Sequence, residues 1–421
     1  MAAARTVRRG WSPGARSGPG TRCWGGLRMR KASRPRRILV ALVAVAALLA
    51  LALGGGTAAA GTAGAGQGFR VIAKGLNNPR GLAFGPDGAL FVAEAGAGGG
   101  GKCVPGPEGG EVCFGQSGSV TMIARGGQSR VLRDLPSVAA PDGTGATGPS
   151  DVAFGGGRLF VMVQNPGGGP EVREQFGPAA ADFGHLLRVL PHQRKVVADF
   201  PVFEAANNPD GGAGVPPEEA VDSDPYSLAI KGDSKVVADA GGNDLLLVKP
   251  NGGISVLAVF PVRMVPAPPF LGLPPGTELP MQAVPDSVTR GPDGAWYVGE
   301  LTGFPFPEGA ARIWRVVPGH EPKIVASGFT NIIDLAFDAH GRLNVLEIAH
   351  NGLASGDPTG ALLRIERNGH RTLIASSGLV NPAGLAIGAD GSFYVSNFGT
   401  FPGTSNGQLP GTGQVIRIPR R

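Results

Sequence analysis

Much of what usually marks an enzyme is missing from this chain. Only three cysteines and six histidines occur among its 421 residues. None of the histidines (His185, His192, His320, His340, His350, His370) is spaced as a metal-binding pair. There is no nucleophile elbow, Ser-Lys pair, Gly-rich phosphate loop or zinc signature. The many GxG patterns follow from 71 glycines. Periodic helical stretches are also absent. With 71 Gly and 38 Pro, the chain reads as many short strands joined by turns, not as two α/β domains.

Acids are absent from the first sixty residues, whereas residues 1–37 hold arginines and one lysine throughout. An apolar run, Ile38 to Leu53, follows, and then a small-residue stretch with an Ala-x-Ala site. A basic region, an apolar region and a small-residue site form a secretory signal, with cleavage expected near Ala60 and a linker over 61–67. The run is short of the ~20 residues of a membrane span, although a retained N-terminal anchor is the competing reading. Met29 offers an alternative start that gives a compact leader, and Arg36–Arg37 fits twin-Arg export. Beyond residue 60 there are 27 basic and 32 acidic residues, so the net charge changes from +6 to about −5. The high isoelectric point belongs to the leader, and the body has no basic cluster that would suggest nucleic acid.

Two cysteines remain beyond the leader, Cys103 and Cys113, ten apart in a Gly/Pro-rich segment. An even pair in an exported chain predicts a loop-closing disulfide. Such a loop contributes on the order of 2–3 kcal/mol by restricting the unfolded chain.

One unit recurs six times. NPRGLAFGPDGALFVAEAG starts at Asn78, and related copies start at Gly148, Asp224, Val284, Asn331 and Asn381. The matched positions are Gly81, Asp151, Ser227, Ser287, Asp334 and Gly384. In each copy an apolar strand is followed by a tight turn and a second, alternating strand. Asp87-Gly88, Asp293-Gly294 and Asp390-Gly391 supply positive φ at three of the turns. Two more strand-like pieces trail the copies, as SVTMIAR and SRVLRDL do after the first. The pattern predicts an all-β, six-bladed β-propeller over residues 68–421, with four antiparallel strands per blade. Insertions at 96–116, 164–182 and 203–223 account for the long first three periods. The sixth copy ends at Gln414–Ile418 without a fourth strand. The segment Phe69–Leu76 is expected to supply it and close the ring. An open β-solenoid is the competing architecture.

At the end of the second strand the copies carry Glu94, Val163, Asp239, Glu300, Glu347 and Asn397. Two readings stand for the polar five. Their oxygens could converge on the channel as hard ligands for Ca²⁺ or Mg²⁺. Alternatively, each holds its own blade by accepting from loop N–H groups. A second group, Asn208, Asp210, Asp222 and Asp224, reads either as a loop calcium site or as Asx-turn chemistry. His350 lies near Glu347 and could act as a general base; a surface histidine is the plain alternative. Trp296, Tyr297, Phe304 and Phe306 could wall an apolar pocket or pack between blades.

NNPDGG (207–212), DPYSLAI with VADAGGNDLL (224–246), and the long segment 284–316 resemble the ScyD/ScyE family of exported repeat proteins. NPAGLAIGADGSFYVSNFGT (381–400) fits as well. Asp224 departs from the Asn that the family motif would carry. The resemblance implies an exported propeller and little chemistry. The repeat is more distantly similar to NHL repeats and to gluconolactonase-type and streptogramin B lyase-type propellers. The lactonases hold a divalent metal in the channel, but their early Glu-Gly-Pro signature is missing here. The lyases use a His and a Glu, which His350 and Glu347 match loosely. The expected function is therefore a secreted, monomeric module that binds a small molecule or protein at the channel face, without nucleic acid or a membrane span in the mature chain. The alternative is a divalent-metal-dependent hydrolase or lyase.

Overall fold

The computed structural model of the chain describes residues 68–106, 109–124, 127–191, 193–401 and 412–420. The predicted leader, the linker and His192 lie outside them. The described residues form a six-bladed β-propeller of antiparallel blades. The innermost strands are Pro79–Phe84, Pro149–Gly155, Pro225–Lys231, Pro285–Arg290, Ile332–Phe337 and Gly384–Ile387. Each touches the next around the ring, and the last touches the first. Four of the six begin with proline, where the missing N–H costs no ladder bond.

The repeat folds this way because its apolar residues alternate along each strand and pack to both sides of the blade. Six apolar clusters result, one between each pair of neighbouring blades. Val120, Val152 and Val161 meet between blades 1 and 2, for example, and Leu346, Leu362 and Val395 between blades 5 and 6.

The Asp-Gly hairpins differ from expectation in one detail. Positive φ falls on the glycine alone, +79° at Gly88, +83° at Gly294 and +77° at Gly391. Gly85 N–H donates to Ala89 O and Gly88 N–H to Gly85 O, so the turn spans more residues than a two-residue hairpin. The aspartate instead accepts from a backbone N–H two residues on, as Asp87 does from Ala89 at 3.2 Å. It is an Asx brace, not a second left-handed residue.

The insertions become ordered additions. In blade 1 the third and fourth strands lengthen to Glu111–Ala124 and Gly127–Ala139. A short strand, Cys103–Pro105, pairs with the extension, and Cys103 and Cys113 are joined by a disulfide. The second insertion holds one helical turn, Glu171–Glu174, and the third holds the helix Phe200–Asn207. Asp199 caps that helix by accepting from Val202 N–H. The proline-rich segment before blade 4 is a hairpin, Arg263–Pro266 with Glu278–Met281. Among the described residues no helix is long and apolar enough to cross a membrane.

The N-terminal strand Arg70–Leu76 lies antiparallel to Gly413–Ile418, with Arg70 opposite Arg417 and Leu76 opposite Gly413. It is the outer strand of blade 6. Leu76 is fully buried in the seam between blades 6 and 1. Leu76→Ala should therefore cost about 2–5 kcal/mol in denaturant unfolding. A loss below about 1 kcal/mol would show that the strand adds little to the ring.

Candidate functional site

Inner-strand side chains that point at the axis meet their counterparts from other blades. The ring of matched positions stitches blade to blade. Asp151 accepts from Leu228 N–H at 2.8 Å and from Ser227 Oγ at 3.3 Å. Ser227 Oγ in turn accepts from Val288 N–H at 3.2 Å, linking blades 2, 3 and 4. Asp334 does the same between blades 5 and 6, accepting from Leu385 N–H at 2.6 Å. Gly81 and Gly384 have no room for a side chain. A Cβ on Gly81 would stand 2.1 Å from Asp151 Oδ1, and one on Gly384 2.4 Å from Arg80 O.

Asp151 and Asp334 are half-buried, yet protein surrounds their carboxyl groups. That enclosure pushes the Asp151 carboxyl up to about 7. It pushes Asp334 up to about 8, with the charge of Asp151 adding to the shift.

One residue before the matched positions stand Arg80, Tyr226 and Asp286, all buried. They come from blades 1, 3 and 4. Burial raises the Tyr226 hydroxyl, and Arg80, Asp286, Asp224 and Asp334 all act on it electrostatically. Arg80 donates to Ala146 O at 2.8 Å, and Asp224 accepts from Gln164 Nε2 at 3.2 Å through both oxygens. The Tyr226 hydroxyl, Arg80 Nε and Gln164 Oε1 are buried without a hydrogen-bond partner. Such atoms cost about 1–3 kcal/mol each when nothing pairs them. Sequence reasoning listed the matched ring but missed Arg80, Gln164, Tyr226 and Asp286. For Arg80, Tyr226 and Asp286 the only available signal was their place one step before the matched positions; Gln164 had none.

The five strand-end residues are each used close to home. Glu94 accepts from Asn77 N–H at 2.7 Å and pairs with Arg130 at 2.8 Å. Glu300 pairs with Arg263 at 2.9 Å and Arg312 at 3.0 Å, and accepts from Trp314 Nε1 at 2.7 Å. Glu347 accepts from Thr330 N–H at 2.8 Å and bonds His350 Nδ1. Asn397 accepts from Val380 N–H at 2.7 Å. Asp239 accepts from Ser223 Oγ and from Asp224 N–H, both at 2.7 Å. No three of the acids stand with oxygens within 4.8 Å of one another. The one group among the described residues that meets that distance is Cys103, Glu111 and Cys113, whose sulfurs are already bonded to each other.

Glu347 and His350 face a cleft of about 380 Å³ between blades 4 and 5, with Thr330, Glu308 and Arg371 around it. Burial raises the Glu347 carboxyl, and the Thr330 N–H and His350 oppose that rise. The predicted aromatic wall divides. Trp296 packs with Phe260 and Trp314 between blades 3 and 4, under the Arg290 guanidinium. Tyr297 packs edge-on to Phe337, between blades 4 and 5. The two alternate across one strand, so they face opposite sides of the blade. Phe304 and Phe306 contact each other at 6.1 Å between ring centres. Of the loop acids, Asp210 accepts from Gly212 N–H and Asn243 Nδ2, Asp222 from Gly168 N–H, and Asn208 donates to Ala220 O.

No family model matches the chain, and no curated protein does. Among solved structures, a Thermus thermophilus protein described as a glucose dehydrogenase-type oxidoreductase is 19% identical, with a TM-score of 0.46 over 84% of this chain and 100% of that one. A calcium-binding protein, regucalcin, from Agrobacterium tumefaciens is 12% identical, with a TM-score of 0.44 over 84% and 93%. Virginiamycin B lyase from Staphylococcus aureus is 11% identical, with a TM-score of 0.42 over 85% and 100%.

The channel acids make stability depend on pH. Below the ordinary carboxylate value of 3.8, folded and unfolded chains both hold these protons. Above it the unfolded chain releases them, while the folded chain keeps them up to about 7 and about 8. Stability from these groups therefore falls as pH rises through that window. Asp334→Asn should flatten the fall by at least about 1.4 kcal/mol between about pH 5 and 8.5, read by denaturant unfolding. Equal slopes in the two proteins would contradict the assignment.

Proposed function

We propose that this chain is an exported propeller of the ScyD/ScyE kind that binds a small polar molecule at its channel mouth. The reading is carried by the buried Tyr226 hydroxyl, Arg80 Nε and Gln164 Oε1, which lack hydrogen-bond partners and are linked through the charges of Asp224 and Asp286. Asp224 and Asp286 would take the donor groups of the ligand, amine or hydroxyl. Arg80 and Tyr226 would bind its acceptors. A hydroxyl-rich or zwitterionic molecule satisfies both halves. Export is supported by the leader sequence and by the Cys103–Cys113 disulfide, which suits an oxidising compartment. The chain would act as a monomer on this reading.

The binding reading is tested by thermal unfolding of the mature chain against monosaccharides, polyols and amino acids. At least one class should raise the melting temperature, and Arg80→Ala and Asp286→Asn should each abolish that rise. No rise with any class, or a rise that both variants keep, would sink the proposal.

A second reading, a hydrolase or lyase, draws on the Glu347–His350 pair in its cleft. The buried Glu347 would orient the exposed imidazole, which would move a proton. Activity toward lactones or cyclic esters lost in His350→Ala but retained in Arg80→Ala would favour this cleft over the channel mouth.

A further inference from the structure

In the loops of blade 3, acidic side chains crowd together with nothing positive among the charges that act on Glu204 and Asp244. Asp244 lies at the start of the third strand and is fully buried, and neither of its carboxylate oxygens has a hydrogen-bond partner. Glu204, in the helix Phe200–Asn207, is 2% exposed, and its Oε1 is also without a partner. The same is true of Asn208 Oδ1, at the C-terminal end of that helix. Asp239, Glu204 and Asp210 act on Asp244, and Asp239, Asp210 and Asp222 act on Glu204.

Glu204, Asp239 and Asp222 meet at one turn, and Asp244 lies directly opposite Asp239 in the strand pair. A Cβ on Gly242 would stand 3.3 Å from Glu204 Oε2 and 3.6 Å from the Asp239 carboxyl carbon. One on Gly241 would stand 3.0 Å from the Asp222 carboxyl carbon. The Gly241-Gly242 turn is thus a bare cradle that carboxylates approach from the helix, the inserted loop and the second strand. Asn243 holds the cradle to the loop by donating to Asp210 Oδ2 at 2.9 Å. The helix also ends here, and the negative end of its dipole favours a cation.

Leaving these acids alone is costly in either form. Ionised, they repel in a dry site; protonated, the two oxygens of Asp244 still lack partners. A hard cation resolves both problems at once. We propose that blade 3 holds a Ca²⁺ ion through Glu204, Asp244 and Asp239, with Asn208, Asp210 and Asp222 completing an all-oxygen shell. Carboxylates and an amide in an irregular set of six suit Ca²⁺ better than Mg²⁺, which keeps its waters and wants a strict octahedron. In the structure as it stands no three of these acids bring oxygens within 4.8 Å. Coordination would therefore require these oxygens to move closer together. The site differs from the five-residue channel set, of which it uses Asp239 alone. It is also separate from the proposed ligand site, which it reaches through the Asp224 N–H donated to Asp239.

The test is calorimetric titration of CaCl₂ into the full mature chain after EDTA treatment. One ion should bind, Mg²⁺ should compete weakly, and calcium should raise the melting temperature. The double variant Glu204→Gln, Asp244→Asn should lose at least about a hundredfold in affinity. No heat and no stabilisation at about 1 mM calcium would overturn the proposal, as would a double variant that binds like the parent. If the variant does not fold, anomalous diffraction from crystals of the parent grown with calcium decides. A peak between the Glu204 and Asp244 carboxylates supports the site, and a peak elsewhere or none overturns it. The outcome is independent of the sugar and amino-acid screen, because Arg80 and Asp286 take no part in it.

Discussion

Everything in this molecule depends on the ring meeting itself. Six apolar seams hold six blades, and each blade is stable only because it has a neighbour on both sides. The antiparallel pairing of Arg70–Leu76 with Gly413–Ile418 joins the first and last described strands within one blade. It gives blade 6 its outer strand and buries Leu76 against blade 1. Without it, Gly413–Ile418 would lose its outer partner and the sixth seam would be incomplete. The polar stitches nearer the axis reinforce the closed ring. Asp151, Ser227 and Asp334 tie backbone N–H groups of the next blade, and Gly81 and Gly384 let backbones come close where a stitch is not made.

The repeat also explains why similar acids have different roles. Glu94, Asp239, Glu300, Glu347 and Asn397 sit at the same point of their blades, and four of them accept a backbone N–H from just before their own first strand. That shared bond is scaffold chemistry. What each has left over depends on the loops. Arginines neutralise Glu94 and Glu300, and a histidine meets Glu347. Asp239 alone faces more acids, because the third insertion brings Glu204, Asp210 and Asp222 to it.

The fold was legible because its signals are local and repeated. An Asx-braced glycine turn, a Pro-led inner strand and an alternating second strand recur often enough to count blades, and the incomplete last copy points to its missing strand. The turn itself was misjudged in one respect: Asp87 braces the backbone instead of adopting positive φ. The candidate site was less legible, because its residues come from different blades. Arg80, Tyr226 and Asp286 are separated by 146 and 60 positions in the chain and share no motif. The aromatics looked like a cluster because Trp296 and Tyr297 are adjacent in sequence, and adjacency on a strand places side chains on opposite faces.

The sequence alone determined the number of blades, the place of the insertions, the disulfide partners and the strand that closes the ring. These follow from periodicity and turn chemistry, which act over a few residues at a time. Only the tertiary structure decided which polar groups lack partners. Asp244 reads as an ordinary strand residue and Glu204 as an ordinary helical one. Both become unusual when burial removes water and folding brings other carboxylates to the same cradle. Desolvation and long-range charge depend on what surrounds a group in space, and a closed ring sets those surroundings from all six blades together.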